Sequence, residues 1–289
     1  MRKSGFRSWI LMSITAVLVL GVVSGFRARD DEKLTVDELI EKHLASIASP
    51  DRLAERHSFA LKGQVIFRIT IGGSGGSGGM AQIVSKDKAY NILFKFDSTA
   101  YQGEHFVTDG KKARALYSVT NQRNPMAEFL QSQRGLLTEG LFGGTLTTAW
   151  ALLDVPGRKP RLKYRGIQEV DGRQLYELDY RVRHGNTDSK NRLYFEPETF
   201  RHVLSIYEVT IPAPMGANPT DSSRQRTSRF TLEERFAYFR EFDGFTVPAA
   251  WTVEFSQLTG SGNLTMQWES RFTQSAVNMQ VPPNLFQVD

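Results

Sequence analysis

The spacing of apolar residues along the chain changes once, shortly before residue 60. In "LTVDELIEKHLASIA" (34–48) Val36, Leu39, Ile40, Leu44 and Ile47 recur at helical spacing. Thr35 and Glu38 form a capping box, Leu34 is placed to staple onto Leu39, and Pro50 follows the end. This predicts a helix. After it the period becomes two. "QVIFRITI" puts Val65, Phe67, Ile69 and Ile71 on one face, and "AYNILFKF" does the same with Tyr90, Ile92, Phe94 and Phe96. Asp-Gly stands between alternating runs at Asp109-Gly110, Asp171-Gly172 and Asp243-Gly244, which predicts three hairpins. In the second, Tyr176, Leu178, Tyr180 and Val182 alternate.

Between the first two hairpins the alternation breaks. Asn124-Pro125 reads as an N-cap followed by proline at the first helical position. The following stretch to Asp154 predicts two short helices, interrupted at Gly143-Gly144. Strands resume near Arg161 and run to the C-terminus. The expected architecture is α+β and mainly antiparallel, with roughly ten strands in a curled sheet, a leading helix and a helical insertion covering one side.

"GGSGGSGG" (72–79) interrupts this pattern, and Gly73, Gly75 and Gly78 match a G-x-G-x-x-G spacing. A dinucleotide loop requires a helix after the glycines, so that its N-terminal amides hold the pyrophosphate. Here "MAQIVSKDKAYNILFKF" follows, which alternates and reads as another strand. The glycine run is therefore expected to be a long hairpin loop, and no cofactor is expected.

Composition adds a compartment. "WILMSITAVLVLGVV" (9–23) is an apolar run behind Arg2, Lys3 and Arg7, with Ser24 and Gly25 after it. Residues 1–25 read as a signal peptide or an uncleaved anchor, and 26–289 as a single exported domain. The chain has 36 basic and 31 acidic residues, and three of the basic ones lie in 1–25, which leaves the rest at a net +2. That balance does not point to nucleic acid. The densest basic run, "SSRQRTSR" (222–229), sits beside a Pro/Gly/Asn-rich stretch and reads as a solvated loop. There are no cysteines, so disulfides, thiolate chemistry and Cys-ligated metals are excluded.

Catalytic patterns are sparse. His43, His57, His105, His184 and His202 are scattered, with no H-E-x-x-H, no G-x-S-x-G and no Walker A sequence. Surface or hydrogen-bonded structural roles are expected for all five. Glu233-Glu234 reads as a solvated acidic pair. Neither an enzyme nor a metal site is expected.

Several stretches taken in order resemble the LolA superfamily of periplasmic lipoprotein carriers. They are the helix "TVDELIEKHLASIA", then "VDGRQLYELDY" with "NRLYFEPETFRHVLSIYEV" and its turn at Glu196–Thr199, then "FREFDGFTVPAAWTVEF", and the ending "VNMQVPPNLFQV". The resemblance implies a half-open β-barrel closed on one side by helices, with an apolar cavity for acyl chains. It implies a non-catalytic periplasmic role in sorting lipoproteins to the outer membrane. Its partners would be lipoprotein acyl chains or lipids, with an inner-membrane release complex and an outer-membrane acceptor. A regulatory module that binds a membrane-anchored protein is the alternative. From alternation, Phe67, Ile69, Tyr90, Ile92, Phe94, Phe96, Tyr176, Leu178 and Tyr180 are the cavity candidates, with Trp150 and Leu153 from the covering helix.

Overall fold

The three Asp-Gly pairs fold as hairpin turns. The computed structural model describes residues 34–116, 124–183, 189–213, 227–260 and 262–288. The 1–25 segment, His184 and most of the 212–228 loop lie outside these residues. Strands β6 (Arg161–Val170) and β7 (Arg173–Arg181) turn at Asp171-Gly172, while β10 (Ser228–Phe242) and β11 (Phe245–Thr259) turn at Asp243-Gly244. All four turn residues have positive φ, the left-handed backbone that a two-residue hairpin loop demands. Between β4 (Gly103–Thr108) and β5 (Ala113–Leu116), the Asp109 carboxylate accepts the Lys111 and Lys112 amides at 2.8 and 2.6 Å.

The remaining strands are β1 (Ser58–Ile71), β2 (Gly76–Lys86), β3 (Ala89–Phe96), β8 (Lys190–Phe195), β9 (His202–Ile211) and β12 (Gly262–Val277). All twelve join one antiparallel sheet in the order β5-β4-β3-β2-β1-β12-β11-β10-β9-β8-β7-β6, so it is open at β5 and β6. This is the expected half-open, curled architecture with two more strands than expected. One strand was expected over 80–96, but the polar Lys86-Asp87-Lys88 step breaks it, with Asp87 at φ +51°. In β10, Tyr238 (φ +54°) has no ladder partner between the pairs Ala237–Ala250 and Phe239–Pro248, and the register continues unshifted past it.

Helix α1 (Val36–Ile47) carries the expected capping box, with the Glu38 amide donating to Thr35 Oγ1 at 3.2 Å. A short α2 (Pro50–Glu55) links it to β1. The covering segment differs from expectation. It holds α3 (Pro125–Ser132), capped by Asn124 as predicted, and α4 (Gly135–Thr138). The second helix expected between Gly144 and Asp154 is absent. Two 3-10 turns, Gly144–Leu146 and Ala151–Asp154, lead to α5 (Val155–Arg158). The sequence "GGTLTTAW" explains this, because glycine and β-branched threonine are poor helix formers. Residues 34–289 form one contact unit.

The glycine run is not the long loop that was expected. Only residues 72–75 turn. Gly76, Ser77, Gly78 and Gly79 lie in β2, opposite Arg68, Phe67, Ile66 and Val65. A strand follows the glycines where a dinucleotide loop would need a helix. Close backbone approach accounts for glycine at two positions. A Cβ on Gly72 (φ +81°) would stand 2.1 Å from the Asn263 carbonyl oxygen, and one on Gly79 would stand 2.1 Å from that of Lys95. Gly78 has open space around it. Gly79→Ala is therefore expected to lower stability by about 1–3 kcal/mol through overpacking. Gly78→Ala should be neutral or raise it by about 0.4–1 kcal/mol, through a less flexible unfolded chain. Urea unfolding of the two variants checks the contrast.

Candidate functional site

Curling brings strands far apart in the sheet onto one apolar interior. Phe67 and Ile69 enter from β1, Tyr90, Ile92, Phe94 and Phe96 from β3, and Tyr176, Leu178 and Tyr180 from β7. Trp150 and Leu153 enter from the covering segment, in and beside a 3-10 turn and not from a helix. All eleven join the same cluster. Ile69, Leu153 and Tyr176 are half-buried at its margin, and the other eight are buried. Trp150, Tyr90 and Tyr180 have 0% exposure. A void able to hold water would expose them, so the interior around these residues is filled by side chains.

Sequence reasoning missed large members of this interior. Trp251 and Phe255 from β11, Trp268 from β12, and Phe142 from the covering segment are buried in it. The alternation of "AWTVEF" and "MQWESRF" marks all but Phe142. Phe94 and Phe142 contact Trp251 at 5.6 and 5.4 Å between ring centroids. Phe67, Phe96, Tyr101 and Trp268 form a second aromatic group, with Phe67–Tyr101 at 4.4 Å and Phe67–Trp268 at 5.2 Å.

Buried polar side chains tie the covering segment to this interior. Glu234 is the centre of one network, which corrects the reading of Glu233-Glu234 as a solvated pair. Leu232, Glu234 and Phe236 share the inward face of β10, and Glu234 is fully buried. Its carboxyl accepts the Gly143 amide at 2.8 Å and the Trp251 indole N–H at 2.9 Å. Burial pushes this carboxyl up to about 8, against those bonds, so it is protonated at neutral pH. Tyr207 Oη lies 2.8 Å from Glu234 and 2.9 Å from the Leu141 carbonyl. One phenolic proton cannot serve both acceptors. A protonated Glu234 resolves this by donating to Tyr207, which then donates to Leu141.

Other side chains repeat the pattern. Tyr90 donates to the Leu137 carbonyl at 3.0 Å, and the Thr148 amide donates to Ser85 Oγ at 3.0 Å. The Trp150 indole donates to His43 Nε2 at 2.9 Å, and His43 Nδ1 lies 2.9 Å from the Phe200 carbonyl. These two contacts fix His43 as the neutral Nδ1–H tautomer, and burial pulls it down to about 4. His202, scattered from His43 in sequence, lies 6.2 Å from it between ring centroids and stacks on Trp150 at 4.7 Å. Its place is structural, with Nε2 2.9 Å from Ser205 Oγ. Buried Arg56 stacks on Phe59 and Phe245 and reaches the Thr147 carbonyl at 3.5 Å. Glycine lets the cover lie this close. A Cβ on Gly144 would stand 3.0 Å from the Phe236 ring and 3.1 Å from His202.

A second buried carboxyl, Glu104, accepts from Tyr101 at 2.5 Å and from Asn124, the cap of α3. Burial pushes it, too, up to about 8. Among the described residues no group of His, Asp and Glu is placed to hold a metal ion, and no helix is long and apolar enough to cross a membrane.

No protein-family model matches the chain, and no curated protein matches it. The chain is similar in structure to a LolA superfamily protein of Nitrosomonas europaea, at 15% identity and TM-score 0.48, over 88% of this chain and 98% of that one. A putative outer membrane lipoprotein-sorting protein domain of Vibrio parahaemolyticus aligns at 10% identity and TM-score 0.41, over 86% and 97%. A DUF1329 family protein of Desulfovibrio piger aligns at 11% and 0.42, over 87% and 97%.

The buried groups set a pH window. Glu234 and Glu104 hold a proton to about pH 8 when folded but lose it near 4.5 when unfolded, so stability falls as pH rises through that range. His43 is neutral down to about pH 4 when folded but titrates near 6.5 when unfolded, so stability also falls as pH drops below 6.5. A glutamine side chain in place of Glu234 would reproduce the protonated acid's bonds without titrating. Glu234→Gln is expected to fold and to remove about half of the loss of stability as pH rises from 4.5 to about 8, the rest belonging to Glu104, as read by urea unfolding. An unchanged slope counts against a protonated Glu234.

Proposed function

We propose that this protein is a non-catalytic carrier of acyl chains, exported to the periplasm, which takes lipoproteins or similar lipids toward the outer membrane. The observation that carries this reading is the way the apolar face of the sheet is closed. The covering segment, residues 124–158, is not part of the sheet. After Gly135 its links to the sheet and to α1 and α2 are apolar contact, single hydrogen bonds to Glu234, Tyr207, Tyr90, Tyr180, Ser85, His43 and Arg56, and one ion pair at the rim between Asp154 and Lys88. A cover attached in this way lifts as a unit while the sheet keeps its ladder. An acyl chain entering behind it needs no polar recognition, because each buried CH2 contributes about 0.8 kcal/mol. Phe67, Tyr90, Ile92, Phe94, Phe96, Leu178 and Tyr180 would line its path, with Trp150 above them.

Two measurements test the reading. Native mass spectrometry of the protein from its own periplasm should find co-purifying acyl species. A bare chain with a stoichiometric protein partner supports a regulatory module instead. The absence of native cysteine allows a second test, in which Ser85→Cys and Thr148→Cys clip the cover to the sheet. Oxidation is expected to slow uptake of a fluorescent fatty acid by at least an order of magnitude, and dithiothreitol should restore it. Equal uptake by the oxidised and reduced forms rules out the cover as the gate.

A further inference from the structure

The outer face of the sheet, opposite the apolar interior, carries a cleft of about 1300 Å³ near the open edge at β6. Seven basic and three acidic side chains line it, a net +4, against +5 for the whole chain. The cations stand at alternate positions on neighbouring strands: Arg161 and Arg165 on β6, Arg181 on β7 with Arg183 just after it, and Lys190 and Arg192 on β8. Lys159 completes the set.

The three carboxylates are already committed. Asp179 pairs with Arg165 at 2.5 Å, Glu208 pairs with Arg192 at 3.8 Å, and Glu177 hydrogen-bonds with Tyr194. Among the described residues, Lys159, Arg161, Arg181, Arg183 and Lys190 have no carboxylate within ion-pair distance, and all five are exposed. Arg161 and Arg181 also stand directly opposite each other in the β6–β7 ladder. Like charges in that position are destabilising, and an anion between them removes the cost.

Protection of the edge against strand pairing explains only part of this. Basic residues and the bulge at Tyr164/Gly166 on β6 block an added strand. They do not explain Arg181, Arg183, Lys190 and Arg192, which lie inward of the edge. The same bulge disfavours an acidic peptide joining β6 as a thirteenth strand. Guanidinium forks grouped without aromatic platforms suit phosphate oxygens.

We propose that this cleft docks the protein on an anionic membrane surface by gripping phospholipid phosphates. The docking face is separate from the apolar interior and does not depend on the carrier reading. Binding of the full chain to phosphatidylcholine vesicles, with and without phosphatidylglycerol, tests it by co-sedimentation. The N-terminal apolar segment contributes equally to wild type and variant, so the difference between them reports the cleft. The wild type should prefer phosphatidylglycerol vesicles at low salt and lose the preference at high salt. Each cation near an anionic leaflet strengthens binding about fivefold, so Arg161→Ala with Arg181→Ala should weaken it roughly 25-fold. Both side chains are exposed, and an unchanged or raised melting temperature confirms that the variant is folded. No wild-type preference for phosphatidylglycerol, or a folded double variant that keeps it, overturns the proposal. So does binding of inositol hexakisphosphate or a poly-glutamate peptide at the cleft without any vesicle preference.

Discussion

The carboxyl of Glu234 is where the sheet and its cover meet, and much of the interior is organised around that contact. One side chain on β10 joins Tyr207 of β9, Trp251 of β11 and the Gly143 amide of the covering segment. An ionised glutamate is disfavoured in that position below about pH 8, because among the described residues nothing cationic is within ion-pair distance and burial strips the carboxylate of water. A protonated one fills every bond. The proton is thus part of the fold, and it sets the register of the cover over the sheet.

A curled sheet left open at both edges explains the rest. Because it is not a closed barrel, its inner face must be covered by something other than strands, and α1 and residues 124–158 do so. The two faces then carry different chemistry. The inner face is aromatic and sealed. The outer face near β6 carries cations with no carboxylate partner among the described residues, and this separation is possible because alternation sends successive side chains to opposite sides.

Much of this was legible in the sequence because it rests on local rules. The capping box at Thr35 and Glu38, the N-cap at Asn124, the three Asp-Gly turns and the alternation of Phe67, Tyr90 and Leu178 each have a short-range cause. The half-open closure was expected only from the resemblance of several stretches, taken in order, to the LolA superfamily. What was not legible depends on partners distant in the chain. Glu234 looked solvated beside Glu233, although Leu232 and Phe236 on either side already marked its face as buried. His43 and His202 came together only through the fold. The glycine run looked like a loop because glycine weakens any strand pattern, and only the neighbouring Lys95 and Asn263 carbonyls explain Gly79 and Gly72. The basic cleft was hidden for a related reason. Its cations are spaced two or four apart along three elements, so the sequence shows no basic run where the surface carries one.

The relative size of the forces at the cover bears on how it would open in the proposed carrier. A hydrogen bond contributes a net of about 0.5–1.5 kcal/mol, but a buried donor or acceptor left without a partner costs about 1–3 kcal/mol. The bonds at Leu137, Leu141, Gly143, Thr148 and Trp150 therefore matter less for strength than for specifying one closed position. Adhesion comes from the apolar contact beneath them, at roughly 25 cal/mol per Å2. In the carrier reading proposed above, an acyl chain would offer that contact in place of the cover's own side chains, while backbone groups released at the rim would regain water. The exchange would then be nearly balanced in apolar area. Its remaining cost falls on the polar groups deepest in the interior, Glu234 and His43, whose neutral forms make that cost as small as their burial permits.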